Sequence, residues 1–285
     1  MIVRGEKSSR PENRLVAFGE NVNMGEIPNV KVSSKRTNFP ERRQKLQSLY
    51  RKTMKVDVII TLCTHELHHE LRDWLPTARV CYPDARLIVA TDTGGDAILR
   101  LAKDLNVDNV EIQFFDREFA KTKSGNIPLY GIHWKPETIW GKLNETRIAV
   151  EKNEGQGVLF ADSDITFAKP LKRGYRADIV LSPAFCGDLQ RTTPLLSDPK
   201  KRIPLFRRDG LFNAGMWLTR STEFMEWWIE ALEMSEGDSF LEQTSLEHAP
   251  RLFEVEYMDS TENFGKWRFQ SPPQDVHSLH FHLRE

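Results

Sequence analysis

The chain has 285 residues, of which 39% are hydrophobic, so it is long enough to bury a sizeable core in one large α/β domain or two small domains. Its formal net charge of −1 gives the molecule as a whole no electrostatic bias toward nucleic acid or membranes. The charge is uneven, because residues 1–55 hold 13 Lys and Arg against 5 Glu and so carry +8. We predict that residues 1–54 form a basic N-terminal extension, partly disordered or packed on the core.

Cysteine usage and hydropathy indicate the compartment. The three cysteines, Cys63, Cys81 and Cys186, are an odd number without metal-type spacing, which favours reduced thiols. The first residues contain no apolar run of the kind found in signal peptides, and no segment approaches the roughly 20 apolar residues of a membrane span. We therefore expect a cytoplasmic protein without a membrane span.

Strands and helices are predicted to alternate over the first half of the chain. The predicted strands are 56–63, Arg86–Thr91, Val110–Phe115 and the apolar run from Val158, and the predicted helices follow a cap at Thr64, span Ala97–Leu105 and run from Pro136 to about Lys152. In the helix after Thr64, the residues Leu67, Leu71, Trp74 and Leu75 form one apolar stripe. This alternation predicts an α/β fold with a mostly parallel sheet.

The second half of the chain has a mixed pattern. Its predicted strands are Ile179–Ser182, Leu211–Thr219 and Leu252–Tyr257, and its predicted helices are Thr222–Met234 and Ser239–His248. We therefore expect a catalytic domain over 55–285, divided into a nucleotide-binding half (55–164) and an acceptor half (165–285).

Two aspartates, Asp162 and Asp164, directly follow the apolar run that begins at Val158. Side chains two positions apart in an extended chain point the same way, so both carboxylates face one side at the end of the strand. Adjacent carboxylates repel each other unless a cation lies between them, and a hard divalent ion is the usual solution. Open α/β sheets also bind ligands at the ends of their strands. The pair therefore indicates metal-dependent chemistry on an anionic substrate.

Two other motifs favour different enzymes. His65 to His69 match the H-E-x-x-H pattern of zinc proteases, but both histidines are predicted on the solvent side of a first helical turn, without a third ligand downstream. The D-x-D-x-T pattern that begins at Asp162 resembles the haloacid-dehalogenase phosphatases, which implies Asp162 as nucleophile and Asp164 as general acid/base. The phosphatase stays open as an alternative, with Asp259 as a single late acid.

Four sequence elements follow one another from the aspartates to the C-terminus. They are LFADSDI at 159–165, LFNAGMW at 211–217, Leu241-Glu242-Gln243 on a predicted helix, and His280-Phe281-His282. In this order they resemble the GT-A-fold glycosyltransferases, the nucleotide-diphospho-sugar transferases with a D-x-D motif. The resemblance implies a Rossmann-like GT-A fold, with a mixed, mostly parallel central sheet flanked by helices.

The resemblance also implies a metal site for Mn²⁺ or Mg²⁺. Asp164 would bind the ion directly, and Asp162 would reach the metal through water or contact the ribose. His280 would be a further ligand, and His282, two residues later, could replace it. The alternative for these histidines is a polar C-terminal edge strand.

Donor-binding and catalytic residues are implied in the same way. The candidate donor-binding residues are Thr61, Leu62, Cys63, Thr64, Asp92, Lys142, Arg147, Asp162, Ser163, Asn213 and Ala214. Asp92 could equally be a plain turn residue, and Lys142 and Arg147 could lie on a solvated helix face. Glu242 or Gln243 would lie beneath the transferred sugar, and Asp209, Asp238 and Glu242 are the candidate bases for an inverting reaction. The resemblance favours retention, for which no such base is required.

These features together predict a metal-dependent glycosyltransferase. It would move a sugar from a UDP- or GDP-linked donor to a hydroxyl of a glycan or small-molecule acceptor, and the cation would stabilise the departing diphosphate. Two alternatives stay open: the phosphatase, and a sugar-nucleotide-binding protein without turnover.

Overall fold

A computed structural model describes residues 53–124, 136–172, 174–183, 212–234, 241–259, 261–265 and 275–280, and every element named below lies within them. The strands are β1 Val58–Leu62, β2 Arg86–Thr91, β3 Val110–Phe114, β4 Val158–Ala161, β5 Ile165–Phe167, β6 Ile179–Pro183, β7 Phe212–Thr219, β8 Val255–Tyr257, β9 Phe264–Gly265 and β10 Ser278–His280. The helices are α1 Leu71–Cys81, α2 Gly95–Asp104, α3 Arg117–Ser124, α4 Pro136–Lys152, α5 Thr222–Met234, α6 Leu241–Ser245 and α7 Ala249–Leu252, with short 3-10 helices at His65–Leu67 and Leu246–His248.

The described strands form a central sheet of seven, in the order β3-β2-β1-β4-β7-β6-β8. β1 is parallel to β2 and β4, β2 is parallel to β3, and β8 is parallel to β6. Only β7 runs antiparallel to its neighbours in this sheet, β4 and β6. The predicted α/β fold with a mixed, mostly parallel sheet is confirmed.

Strand β1 shows how this sheet is covered on both faces. Val58, Ile60 and Leu62 pack in an apolar cluster with α4 and α5, whereas Ile59 packs in a second cluster with α1 and α2. Successive side chains of a strand point to opposite faces, so a strand buried on both sides has a continuous apolar sequence. All five residues of β1 are buried.

Helix α4 has the predicted bounds, Pro136–Lys152. Proline suits the first helical position because its missing N–H has no partner there. The buried face of α4 includes Ile139, Leu143 and Val150, and also the charged residue Lys142. No helix among the described residues has both the length and the apolarity that crossing a membrane requires.

A second sheet among the described residues has the order β5-β10-β9. In it, β10 is antiparallel to β5, with His280 opposite Ile165, and parallel to β9, with His280 opposite Gly265. The alternative of a polar edge strand is therefore wrong for β10, because it is hydrogen-bonded on both sides. His280 is 3% exposed as a result.

The helix predicted to start at Thr64 begins later in the structure. The chain first makes a short 3-10 helix, and Thr64 makes no side-chain cap hydrogen bond to it. Helix α1 starts only at Leu71, whose side chain is buried together with Trp74 and Leu75. Leu67, predicted in the same apolar stripe, is only partly buried, because it lies in the 3-10 helix before the stripe begins.

The strand predicted from Leu252 is also displaced. Leu252 ends α7, and β8 begins at Val255. Pro250 lies in the first turn of α7, where proline is tolerated, so the chain stays helical past it. Residues 239 and 240 of the predicted helix and residue 211 of the predicted strand lie outside the described residues.

Candidate active site

The two aspartates lie in the turn between β4 and β5. The backbone N–H of Asp162 donates to the carbonyl oxygen of Gly215 (2.8 Å), and that of Ile165 donates to the carbonyl oxygen of Asp162 (3.1 Å). The hydroxyl of Ser163 donates to the carboxylate of Glu70, a buried residue just before α1. These contacts tie the turn to β7 and to α1, and so fix the direction in which the two carboxylates point.

His280 brings a third potential metal ligand to the aspartates. Its Nε2 atom is 3.1 Å from Oδ1 of Asp164 and 3.6 Å from Oδ2 of Asp162. One ligand atom from each of the three residues lies within 4.8 Å of the others. The register of β10 against β5 explains this proximity, because His280 pairs with Ile165, the residue after Asp164.

The donor set fits one divalent ion. Two carboxylates and an imidazole suit Mn²⁺, while Mg²⁺ prefers the carboxylate oxygens. Two ligand atoms that are each about 2.1 Å from an ion and at right angles lie about 3.0 Å apart. The separations of 3.1 and 3.6 Å from His280 to Asp164 and Asp162 are close to that value.

Gly215 on β7 lets the backbone approach this group closely. A Cβ atom on Gly215 would lie 2.2 Å from Cε1 of His280 and 2.8 Å from Oδ2 of Asp162. Both distances are shorter than real Cβ contacts, so any other residue would displace one of the two side chains. Glycine inside a strand often marks such a close approach.

Lys142 supplies a positive charge beside the aspartates. Its Nζ atom is 3.3 Å from Oδ1 of Asp162, and 5.2 and 5.6 Å from the ring centroids of Phe160 and Trp217, which stack on each other. The carboxylate and the two aromatic faces take the place of water around this ammonium, whose side chain is 7% exposed. Burial raises the pKa of Asp162 above its ordinary value, although the charges of Lys142 and His280 act to lower it.

The residues predicted to lie beside the transferred sugar contact one another. The backbone N–H of Ala214 donates to Oε1 of Gln243 (3.1 Å), and Nδ2 of Asn213 lies 3.4 Å from the same oxygen. Glu242 and Gln243 are both buried. A further buried residue, Asn263, donates from Nδ2 to Oδ1 of Asn213 (3.0 Å).

Solved structures with a similar architecture include glycosyltransferases. The galactosyltransferase LgtC, in complex with donor and acceptor sugar analogs, superposes with a TM-score of 0.52 at 16% identity, over 80% of this chain and 87% of that chain. The bifunctional glycosyltransferase WbbM, in its apo form, gives a TM-score of 0.52 at 11% identity, over 80% of this chain and 46% of that chain. No family model and no curated protein matches the chain. The chain has a glycosyltransferase fold.

In this glycosyltransferase fold, Thr61, Leu62, Cys63 and Thr64 lie at the carboxyl end of β1, and all four are buried. Because β1 and β4 are parallel neighbours, this end lies on the same edge of the sheet as Asp162. That edge is where open α/β sheets bind ligands. Contact between these residues and a nucleotide stays a prediction.

Asp92, after β2, is held by two internal partners. Its Oδ1 accepts from the backbone N–H of His65 (3.0 Å), and its Oδ2 accepts from Arg117 (2.9 Å). Burial alone would raise the pKa of Asp92, but the hydrogen bonds from His65 and Arg117 outweigh it and hold that pKa below its ordinary value. Asp92 thus joins β2 to the residues after β1 and to α3, and its contact with a donor stays a prediction.

The zinc-protease motif is not assembled in the structure. His65 lies in the 3-10 helix, whereas the protease motif needs one α-helix through both histidines. His65 instead groups with Glu66 and Asp92. The guanidinium of Arg117 already supplies a cation there, at 3.6 Å from Glu66 and 2.9 Å from Asp92.

The late acid of the phosphatase alternative has other partners among the described residues. Asp259 accepts from the backbone N–H of Thr261 (3.3 Å) and from Nζ of Lys172 (3.2 Å). Burial opposes these contacts, but they prevail and hold the pKa of Asp259 below its ordinary value.

Some predicted site residues have no described role beside the aspartates. Arg147 contacts Glu151 and Asn144 on its own helix, and its contact with a diphosphate stays a prediction. His282, Asp209 and Asp238 lie outside the described residues. Conversely, Glu70 and Asn263 are site residues that the sequence does not reveal, because a single polar residue outside a regular pattern carries no periodic signal.

Proposed function

We propose that the chain is a metal-dependent glycosyltransferase that transfers a sugar from a nucleotide-diphosphate donor to an acceptor hydroxyl. The observation that carries the proposal is the group of Asp162, Asp164 and His280, whose ligand atoms lie within 4.8 Å of one another. The two aspartates follow β4, a central strand of a glycosyltransferase fold, at the edge where such sheets bind ligands, and His280 reaches them from β10. The proposed donor is a UDP- or GDP-linked sugar, and the proposed acceptor is a glycan or a small molecule.

In the proposed reaction, Asp162, Asp164 and His280 hold one Mn²⁺ or Mg²⁺. A divalent ion there supplies positive charge for the diphosphate that leaves the sugar. Lys142 adds a second positive charge within 3.3 Å of Asp162, and it keeps that carboxylate compensated before an ion binds. The two charges together favour an anionic leaving group at this point of the site.

The donor is proposed to lie across the carboxyl ends of the parallel strands. Its nucleoside would contact Thr61–Thr64 after β1 and Asp92 after β2. Its sugar would lie over Asn213 and Ala214, with Gln243 beneath, because these three residues already contact one another beside Gly215. The small side chain of Ala214 lets the donor approach the backbone of β7.

We propose that the reaction retains the anomeric configuration of the sugar. An inverting enzyme needs a carboxylate base within reach of the acceptor hydroxyl. Glu242, the candidate for that base among the described residues, is 4% exposed, and its backbone carbonyl accepts from Nε1 of the buried Trp228, so Glu242 is packed against α5. Proton NMR of the first product formed would distinguish the two outcomes, since the anomer of the product reports the stereochemistry directly.

A donor-hydrolysis screen tests the proposed function. The chain is incubated with UDP- and GDP-sugars and Mn²⁺, and release of the nucleoside diphosphate is measured. We expect nucleoside diphosphate to be released from at least one donor, and this release to stop when the metal is chelated. For Asp164→Ala, the rate of release should fall by at least about a hundredfold. The matched control is Asp104→Ala, on the exposed end of α2, which should retain full activity.

Three results would contradict the proposal or a part of it. Hydrolysis of p-nitrophenyl phosphate that Asp162→Asn abolishes would identify a phosphatase instead. Tight binding of a nucleotide with no turnover of any donor or acceptor would identify a binding protein. Unchanged donor hydrolysis in Asp164→Ala would disprove the metal assignment.

A further inference from the structure

We propose that Asn263 is a positioning residue that fixes the side-chain amide of Gln243, so that Gln243 offers a hydrogen-bond donor and not an acceptor to the substrate. The chemical consequence rests on the proposed function. The orientation of the amides rests only on contacts among described residues.

Two backbone groups show which way these amides point. A backbone N–H can only donate, so the side-chain atom that faces it must be an oxygen. The N–H of Gly215 is 3.0 Å from Asn213, and that of Ala214 is 3.1 Å from Gln243. These contacts identify the facing atoms as Oδ1 of Asn213 and Oε1 of Gln243.

Asn263 completes the orientation of Asn213. Its Nδ2 atom donates to Oδ1 of Asn213 (3.0 Å) and to Oγ of Ser182 (2.8 Å). Oδ1 of Asn213 thus accepts from both Asn263 and Gly215, which turns Nδ2 of Asn213 toward Gln243 at 3.4 Å. Asn263 is 0% exposed, so water does not compete for these bonds.

The network leaves Gln243 one group with which to contact a ligand. Its Oε1 faces Asn213 and the backbone N–H of Ala214, which occupy both lone pairs of that oxygen. Within the part of the chain that the structure describes, no hydrogen bond engages Nε2, which is a donor of two protons. A hydrogen-bond donor suits an oxygen of the transferred sugar or of the departing phosphate. If Oε1 instead attacked the sugar, it would have to give up its hydrogen bonds from Asn213 and Ala214.

The free-energy cost of burying Asn263 indicates that its role is to orient Asn213 and, through it, Gln243, and not to stabilise the fold. Its Oδ1 atom has no hydrogen-bond partner among the described residues. A buried acceptor without a partner costs about 1–3 kcal/mol, so an apolar residue of similar shape would stabilise the fold at least as well. What an apolar residue would lose is the pair of donors to Asn213 and Ser182.

The test combines side-chain NMR with a double-mutant cycle. In the full chain, the Nε2 signals of Gln243 are assigned by their absence in Gln243→Ala. We expect Asn263→Ala to shift them, because Asn213 then loses one of the two donors that hold its Nδ2 atom toward Gln243. We also expect Asn263→Ala to lower kcat for donor hydrolysis about tenfold with KM nearly unchanged, but by less than about twofold when Gln243 is already alanine.

Controls separate positioning from general destabilisation. Asn153→Ala removes another buried asparagine, bonded to the carbonyl of Ala149, and should change neither readout. If Asn263→Ala does not fold, Asn263→Asp keeps the shape and places an oxygen against Oδ1 of Asn213, with the same expected results.

Unmoved Gln243 signals, or losses of kcat that simply add, would overturn the role of Asn263. If the unmodified chain hydrolyses no donor, the proposed function fails, and the NMR measurement still decides the positioning role.

Discussion

Gly215 has no Cβ atom, and this allows the side chains of His280 and Asp162 to lie close together beside β7. We expect Gly215→Ala to weaken Mn²⁺ binding by at least about tenfold, because the new Cβ would overlap both side chains. Isothermal titration of Mn²⁺ measures the effect. Gly155→Ala is the control: its Cβ has nothing within 4 Å, so metal affinity should be unchanged despite a strained backbone. Equal affinities of Gly215→Ala and the unmodified chain would refute the close approach described above.

The ammonium group of Lys142 compensates the charge of the Asp162 carboxylate. We expect Lys142→Met to destabilise the metal-free chain by about 3 kcal/mol, because the partly buried carboxylate of Asp162 loses its ammonium partner and keeps only His280. Mn²⁺ should then raise the melting temperature of Lys142→Met more than that of the unmodified chain, since the ion replaces the missing charge.

The control for this experiment is Lys123→Met. Lys123 also lies over an aromatic ring, that of Phe119, but it is exposed. Lys123→Met should therefore change neither the stability of the chain nor its response to Mn²⁺. If Mn²⁺ raises the melting temperature of Lys142→Met and of the unmodified chain by the same amount, charge compensation at Asp162 is disproved.

Between elements, Asp92 joins β2 to the residues after β1 and to α3. Its folded-state pKa is below its ordinary value, so its stabilising effect is present above the unfolded pKa of about 3.9 and disappears as pH falls through the folded pKa. Asp92→Asn should therefore be less stable at pH 7 by about 1.5 kcal/mol or more, and the difference should shrink toward pH 3.

Urea unfolding between pH 7 and pH 3 measures this difference. The exposed Asp104→Asn is the matched control and should differ little from the unmodified chain at any pH. A difference for Asp92→Asn that stays constant with pH would mean that its ion pair with Arg117 contributes nothing to stability.

The elements also show what a local pattern can predict. The start of α4 follows from Pro136, and β1 follows from a run rich in β-branched residues. The start of α1 does not follow, because Thr64 is a good cap by residue type but the chain makes a 3-10 helix first. Capping preferences describe which residues suit a helix end, and tertiary contacts decide where that end lies.

At the scale of the whole molecule, the site depends on contacts that no local pattern contains. Asp162 and Asp164 are predictable as a pair because they follow one strand. His280 lies 116 positions after Asp164, and only the resemblance to GT-A glycosyltransferases suggested it. Its place follows from the pairing of β10 with β5, a long-range contact. Asn263 and Glu70 were missed for the same reason.

The central claim is that Asp164 and His280 share one ion, and Mn²⁺ titration in the presence of UDP or GDP tests it most directly. The variants are Asp164→Ala, His280→Ala and the double variant, and the control is His277→Ala, a buried histidine on the approach to β10 that contacts Pro170. We predict that the unmodified chain binds one Mn²⁺ ion and that each single variant binds it at least about tenfold more weakly. The double variant should lose little further affinity, and His277→Ala should bind Mn²⁺ as the unmodified chain does. Binding by His280→Ala as tight as that of the unmodified chain would contradict the account.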